Sequence, residues 1–259
     1  MLTLDGVTVI FGGLTAVNEL SLNVSEGQIH SIIGPNGAGK TTVFNVISRF
    51  VNPVQGKVLF NGEDLLNHKA HHVVRLGIAR SFQNTELFAN MTVMDNLLVG
   101  LHPVIKKNIF SIMLNLSSVR RKEKENRKKA YEILDLLNIA DLAQETVKNL
   151  PFGYQKMVDI ARAMMTDPQL LLLDEPVAGM NNVETKQISD LLLRLKKDLG
   201  FTVLLIEHDM SMVMDISDYV TVMNFGKKIS EGLPIEVRND PVVIEAYLGG
   251  EDESIAQAD

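Results

Sequence analysis

Ile29-His30-Ser31-Ile32-Ile33-Gly34-Pro35-Asn36-Gly37-Ala38-Gly39-Lys40-Thr41-Thr42 carries more structural information than any other stretch of this chain. Its first five residues form a short, largely apolar run that predicts a buried strand. Glycines follow, and then a helical pattern over Thr41 to Phe50. Gly34 to Thr41 fits the spacing G-x-x-x-x-G-K-[ST], with the strand before and helix after that this spacing requires. The glycines let backbone N–H groups turn toward an anion, and the helix N-terminus adds the positive end of its dipole. In this loop Asn36, Gly37, Ala38, Gly39 and Thr42 complete a phosphate cradle. Lys40 reaches the terminal phosphates, and the Thr41 hydroxyl suits Mg²⁺. A glycine-rich helix cap would match the same four specified positions by chance in about one such chain in a hundred. It would also leave a lysine opposing the helix dipole, a conflict that a bound phosphate removes.

The second informative stretch is Leu170-Leu171-Leu172-Leu173-Asp174-Glu175-Pro176, an apolar strand that ends in two acids. Ligands of open α/β sheets sit beyond the carboxyl ends of the strands. Two adjacent carboxylates there would repel unless one faces a cation. Asp174 suits the Mg²⁺ shell through water, and Glu175 suits polarising the water that attacks a γ-phosphate. Alone, the pair could be a strand surfacing at a charged turn; beside a phosphate loop it predicts a nucleotide hydrolase.

Around these two stretches the α/β rhythm continues. Leu2 to Leu4, Val7 to Ile10, Leu20 to Val24 and Lys57 to Phe60 predict strands, with turns at Gly12-Gly13, Ser25-Glu26-Gly27 and Asn61-Gly62. Between about Glu86 and Leu150 helical signals take over, at Val93 to Leu101 and Val119 to Asn138. In the latter, Ala130, Ile133, Leu134 and Leu137 mark one face. Strands and helices then alternate again: Val183 to Leu199 helical, Thr202 to Ile206 strand, Asp209 to Ile216 helical, Val220 to Asn224 strand, Gly226 to Gly232 hairpin-like. That alternation predicts a mostly parallel sheet covered on both faces.

Composition narrows the function classes. The chain has 259 residues, 46% hydrophobic and 22% charged, and a net charge of −7. Such usage is globular, and an acidic chain has no global attraction to nucleic acid or anionic lipid. The absence of cysteine excludes disulfide frameworks, zinc ribbons and thiol nucleophiles and fits a reducing compartment. The start, Met1 to Gly6, lacks the pattern of a secretory leader. Ile109 to Leu116 is too short to span a bilayer, so a soluble or peripheral protein is expected. Its core, Ile109 to Leu114, is expected to pack internally rather than dock on a membrane partner. The basic run Arg120 to Lys129 lacks interleaved aromatics and reads as a solvated helix face. Met210, Met212 and Met214 read as helix and core positions.

With both phosphate-site stretches placed, the order of the remaining motifs resembles the ATP-binding subunit of an ABC transporter, over roughly Met1 to Gly249. The resemblance implies a P-loop ABC ATPase core, with a mostly parallel sheet and an N-terminal antiparallel β-subdomain. The α/β core would cover 1–85 and 155–249, a helical subdomain would be inserted at about 86–154, and 250–259 would be an acidic tail. Gln83 stands where the family's Q-loop glutamine contacts Mg²⁺ and relays closure to membrane subunits. His208 matches the switch histidine that reads the γ-phosphate. Phe11 resembles the aromatic that stacks on adenine, with Val17 as a second adenine contact.

Leu150-Pro151-Phe152-Gly153-Tyr154-Gln155-Lys156 lies where the family has L-S-G-G-Q-Q-R. Leu150, Gly153, Gln155 and Lys156 agree; Pro151 replaces the serine, Phe152 the first glycine and Tyr154 the first glutamine. Proline is compatible with a first helical turn, where its missing N–H would be unpaired. Pro151, Phe152, Gly153 and Gln155 would complete the ATP site of a second ATPase subunit, identical or different. The Pro-aromatic-Gly version, Asn181 in the interface loop and the ending Val243 to Gly249 are similar to the branched-chain amino-acid importers. The resemblance thus implies an ATPase with ATP and Mg²⁺, at the cytoplasmic face of the cell membrane. It would drive separate permease subunits for branched-chain amino acids or a related small polar solute, with a solute-binding protein acting indirectly and no nucleic acid expected. A soluble ABC ATPase serving nucleic acid or the ribosome is the alternative.

Overall fold

The computed structural model describes residues 1–81, 86–103 and 117–247. Within them β1 (Leu2–Phe11), β2 (Leu14–Val24), β4 (Gln55–Phe60) and β5 (Glu63–Asp64) form an antiparallel sheet in the order β2-β1-β4-β5. The central sheet has the order β10-β9-β3-β8-β7-β6, built from β3 (Ile29–Ile33), β6 (Ile78–Arg80), β7 (Leu170–Asp174), β8 (Thr202–Ile206), β9 (Tyr219–Asn224) and β10 (Lys227–Gly232). All its pairings are parallel except the β9–β10 hairpin. The expected mostly parallel sheet with an antiparallel N-terminal partner is therefore present.

Every residue of β3, β7 and β8 is buried, as expected of strands covered on both faces. Their side chains alternate between two cores: Leu171 and Leu173 join the helices on one side, Leu170 and Leu172 the antiparallel sheet on the other. Strand β2 alternates between buried and exposed along its second half, since only one of its faces meets the core.

Helices α1 (Lys40–Ile47), α2 (Ala70–Val73), α3 (Val93–Gly100), α4 (Ser117–Leu136), α5 (Phe152–Met164), α6 (Asn182–Leu199), α7 (Met210–Ile216) and α8 (Pro234–Arg238) surround the sheets. A further helix, α9, covers 241–247. The predicted face of α4 is the buried one, with Ala130, Ile133 and Leu134 buried and Leu137 just beyond the helix joining them. Its basic run is solvated and laced with (i, i+4) pairs, Arg121–Glu125 and Lys128–Glu132 among them, which support a helix face in water. Met212 lies in the core.

Several helix limits differ from the sequence reading by one to three residues, and two ends have a backbone cause. Helix α1 stops at Ile47 rather than Phe50, because Ser48 caps it and Arg49 turns to φ +63°. Helix α4 stops at Leu136, with Asn138 at φ +56°. The strands read separately at the N-terminus are one irregular β1, whose register shifts at Leu4/Val7 and beyond let a single strand bend. The apolar run Ile109 to Leu114 lies outside the described residues.

Parallel register decides where the site lies. Ile206 pairs with Ile32 on one side and Asp174 on the other. The chain therefore leaves β3, β7 and β8 at one level, and Gly34, Glu175 and Glu207 emerge together at the carboxyl edge.

Candidate functional site

The loop after β3 turns into α1 by left-handed glycines. Gly34 has φ +147°, and a Cβ there would lie 2.0 Å from the Met223 carbonyl oxygen of neighbouring β9. Gly39 has φ +97°, and its Cβ would meet the Ala16 carbonyl oxygen at 2.4 Å. Both positions admit only glycine because backbone approaches from both sides. Lys40 is the first residue of α1, with no acid in that turn to balance it. Its side chain folds back, and Nζ donates to the carbonyls of Gly34 at 2.7 Å and Pro35 at 2.9 Å. Burial pulls its pKa below the usual lysine value, against the attraction of Glu175 and Asp174. A buried ammonium held by neutral carbonyls beside a helix N-terminus is poised for an anion.

A cavity of about 460 Å³ opens over this loop. Lys40, Thr41, Glu175, Leu14 and Phe225 are among the residues lining it. Glu175 follows β7 at φ +48°, its N–H donating to the Ile206 carbonyl at 2.9 Å. A left-handed glutamate directly before a proline is a strained turn, and that strain turns the chain sharply away from the strand.

Asp174 is buried and fixed by Arg80, whose Nη2 donates to Oδ2 at 2.7 Å. Arg80 also donates to Asn45 of α1 at 2.8 Å and lies 5.4 Å over the Phe44 ring. Burial raises the Asp174 pKa despite the arginine, and its second oxygen, Oδ1, is buried with no hydrogen-bond partner. A divalent cation would satisfy both observations, since a hydrated cation gives Oδ1 a donor and favours the carboxylate. Among the described residues no cluster of three or more His, Asp or Glu could hold a metal by itself. The donor set is thus one hydroxyl and one carboxylate with water and phosphate oxygens, the environment Mg²⁺ accepts.

His208 emerges after β8 with its side chain 60% exposed. Beneath it Glu207, fully buried, accepts hydrogen bonds from three backbone N–H groups: Val177 at 3.1 Å, His208 at 3.0 Å and Asp209 at 3.3 Å. One carboxylate therefore ties the loop after Glu175 to the loop bearing His208. Burial raises its pKa, against those donors. Lys156, also buried, feels Asp159, Glu207, Asp174 and Glu175, while burial lowers its pKa. Sequence reasoning missed Arg80 and Glu207 as site residues; a lone acid closing the apolar run Val203 to Ile206 was the available signal for Glu207.

Gln83 lies outside the described residues. Phe11 is exposed and pairs with Leu14 across the β1–β2 turn. Val17, read as an adenine contact, is corrected by its surroundings: it is fully buried, 3.4 Å below a Cβ placed on Gly39, and presents no surface to a ligand. It pairs with Val9 of β1 and joins the core beneath the loop, ahead of the irregularity at Glu19 (φ +50°) that breaks the two-residue period before Leu20.

The segment 151–155 does not join the cavity over Lys40. Pro151, Gly153 and Tyr154 line a different cavity of about 270 Å³ with Asn181 and Glu184. Pro151 takes the N-cap position of α5, one residue before the helix, and no side chain caps that helix. Asn181 and Glu184 form a capping box at α6, which fixes the interface-loop position beside α5.

The family model described as ABC transporter matches residues 17–178, and one described as branched-chain amino acid ATP-binding cassette transporter matches 227–253. The high-affinity branched-chain amino acid transport ATP-binding protein BraF of Pseudomonas aeruginosa is 43% identical over 249 residues, 96% of this chain and 98% of that protein. The protein of the same description called LivG in Escherichia coli K12 has the same identity and coverage. Among solved structures, an ATP-binding cassette of an ABC transporter in its ADP conformation superposes with TM-score 0.85 at 34% identity, covering 96% of this chain and 98% of that one. A dimeric cassette in a post-hydrolysis state bound to ADP and Pi gives TM-score 0.75 at 25% identity, covering 90% and 99%.

Proposed function

This chain belongs to the ABC transporter family, and from that membership we propose that it is the ATP-hydrolysing subunit of an uptake transporter for branched-chain amino acids or a related small polar solute. The observation that carries the reading is the cavity where Lys40, Thr41 and Glu175 meet. The relatives' names support the solute, because solute choice itself lies with chains other than this one.

Lys40 exchanges the carbonyls of Gly34 and Pro35 for the β- and γ-phosphates of ATP, while the N–H groups of 36–42 surround them. Thr41, Asp174 through water, and Gln83 would hold Mg²⁺, which neutralises phosphate charge when bound. Glu175 orients a water and accepts its proton as the new O–P bond forms. The bond between the γ-phosphorus and the bridging oxygen breaks, leaving ADP and phosphate. His208 reads the γ-phosphate from the neighbouring strand end, and Phe11 stacks on the base.

The cavity over Lys40 has no wall from 151–155, so a second ATPase subunit, identical or different, supplies that wall and receives this chain's own segment in return. Pro151 brings no capping oxygen, which leaves the first-turn N–H groups of α5, that of Gly153 included, to face the partner's phosphate. No helix among the described residues is long and apolar enough to cross a membrane; separate permease chains carry the solute across it, loaded by a solute-binding protein, with this chain at the cytoplasmic face. A groove of about 460 Å³ beside β6 and α5, edged by exposed Phe50 and Phe88, suits a permease segment.

Calorimetry with Mg-ATP tests the nucleotide reading: absence of binding heat overturns it. Glu175→Gln is expected to trap an ATP-bound dimer on size exclusion, and normal turnover in that variant removes Glu175 as the base. Co-purification from membranes with permease chains is expected, whereas recovery with ribosomes or nucleic acid would favour the soluble alternative, which the relatives do not support.

A further inference from the structure

Strands β9 and β10 are joined by two residues, Phe225 and Gly226, with Asn224 and Lys227 paired across the turn. Both turn residues have positive φ, 45° and 77°. That is the type I′ hairpin turn, whose first position is the preserve of asparagine, aspartate and glycine. A phenylalanine there is unfavoured by its backbone, because bulky residues rarely enter the left-handed region. It is unfavoured again by water: at 77% exposed, Phe225 is the most exposed large apolar side chain among the described residues. Nothing in the hairpin itself accounts for either feature.

The turn is held firmly. The Gly226 N–H donates to the Ala38 carbonyl of the phosphate loop at 3.1 Å, and its carbonyl accepts from the Asn18 N–H at 2.8 Å. These bonds lock the hairpin tip against both the phosphate loop and β2. Phe225 thereby lines the same cavity as Lys40 and Thr41, with Leu14, itself 71% exposed, also on the wall. A flat apolar ring has nothing to offer phosphate, whereas it complements the face of a purine.

We propose that Phe225 is a base-binding residue: its ring packs on the purine of the nucleotide whose phosphates the Lys40 loop holds. The proposal rests on the nucleotide reading above and adds to Phe11 a second aromatic contact, from the opposite end of the chain. The unfavourable turn is retained because the bound base covers the exposed ring.

Because the chain has no tryptophan, Phe225→Trp gives a single fluorescent reporter. Its emission is expected to change on adding Mg-ATP and to stay unchanged with inorganic tripolyphosphate, which has phosphates but no base. Phe225→Asn, which suits the turn, separates affinity from folding. It is expected to raise or keep the melting temperature while weakening ATP binding about fivefold or more, the low end of one base–aromatic contact, and leaving tripolyphosphate affinity within twofold. If wild type binds both ligands and Phe225→Asn binds ATP as wild type does, or the tryptophan ignores ATP, the proposal is overturned. If wild type binds neither ligand, the nucleotide reading falls and the proposal with it.

Discussion

Replacing Glu207 tests how the carboxyl edge of the central sheet is held together. Glu207→Ala removes the acceptor of three backbone N–H groups, one of them, on Val177, fully buried and two partly buried. A buried donor left without a partner costs about 1–3 kcal/mol, and the partly exposed ones lie at the low end. Against this, alanine no longer buries a carboxylate whose raised pKa records its desolvation. The net loss is about 3 kcal/mol, which for a chain of this size lowers the melting temperature by about 6–12 °C. Glu207→Gln behaves differently. One oxygen still accepts, the charge and its desolvation are gone, and stability stays within about 1 kcal/mol of wild type. The amide NH₂, however, now faces at least one former donor, so either the Val177 loop or the His208 loop is released. Single-turnover hydrolysis is therefore expected to fall about tenfold or more, typical of lost positioning, with ATP affinity by calorimetry within twofold of wild type. Wild-type turnover in Glu207→Gln would refute the positioning role. An unchanged melting temperature in Glu207→Ala would refute the stability reasoning.

Gly34→Ala places a Cβ 2.0 Å from the Met223 carbonyl at φ +147°, so calorimetry is expected to show ATP binding lost; retained affinity would show that the loop can move aside. His30 is fully buried, its Nε2 2.8 Å from the Thr221 hydroxyl, and burial lowers its pKa to about 4. Neutral in the fold, it contributes fully above the unfolded value near 6.5 and loses that contribution as pH falls toward 4, about 3 kcal/mol in all. Urea unfolding at pH 7 and pH 4 is expected to show a smaller decline in His30→Gln than in wild type, and equal declines would contradict the assignment. The departures at Pro151 and Tyr154 lead to unequal sites: the ATP site completed by this chain's segment is expected to turn over more slowly than its counterpart in a heterodimer. Equal single-turnover rates at both sites would contradict that.

The phosphate loop and the acidic strand end were legible from residues alone because each is contiguous. A turn, a dipole and a lysine placed within ten residues act through local backbone geometry, and the buried strands announce themselves by unbroken apolar runs. The buried face of α4 was equally legible, since helical period alone decides it. Helix ends were less so: α1 stops where Arg49 takes a left-handed turn, which no propensity dictated.

What required tertiary structure is whatever joins distant parts of the chain. Arg80 meets Asp174 across 94 residues, and Glu207 meets Val177 across 30, because parallel strands bring their carboxyl ends to one level. Val17 and Phe225 end up where sequence alone does not place them. Pairing with Val9 of β1 buries the first under Gly39, while a two-residue turn, bonded to Ala38, delivers the second to the cavity over Lys40. Sequence determined which chemistry is present; the sheet register decided which side chains share it, since register is a long-range property that no local pattern encodes.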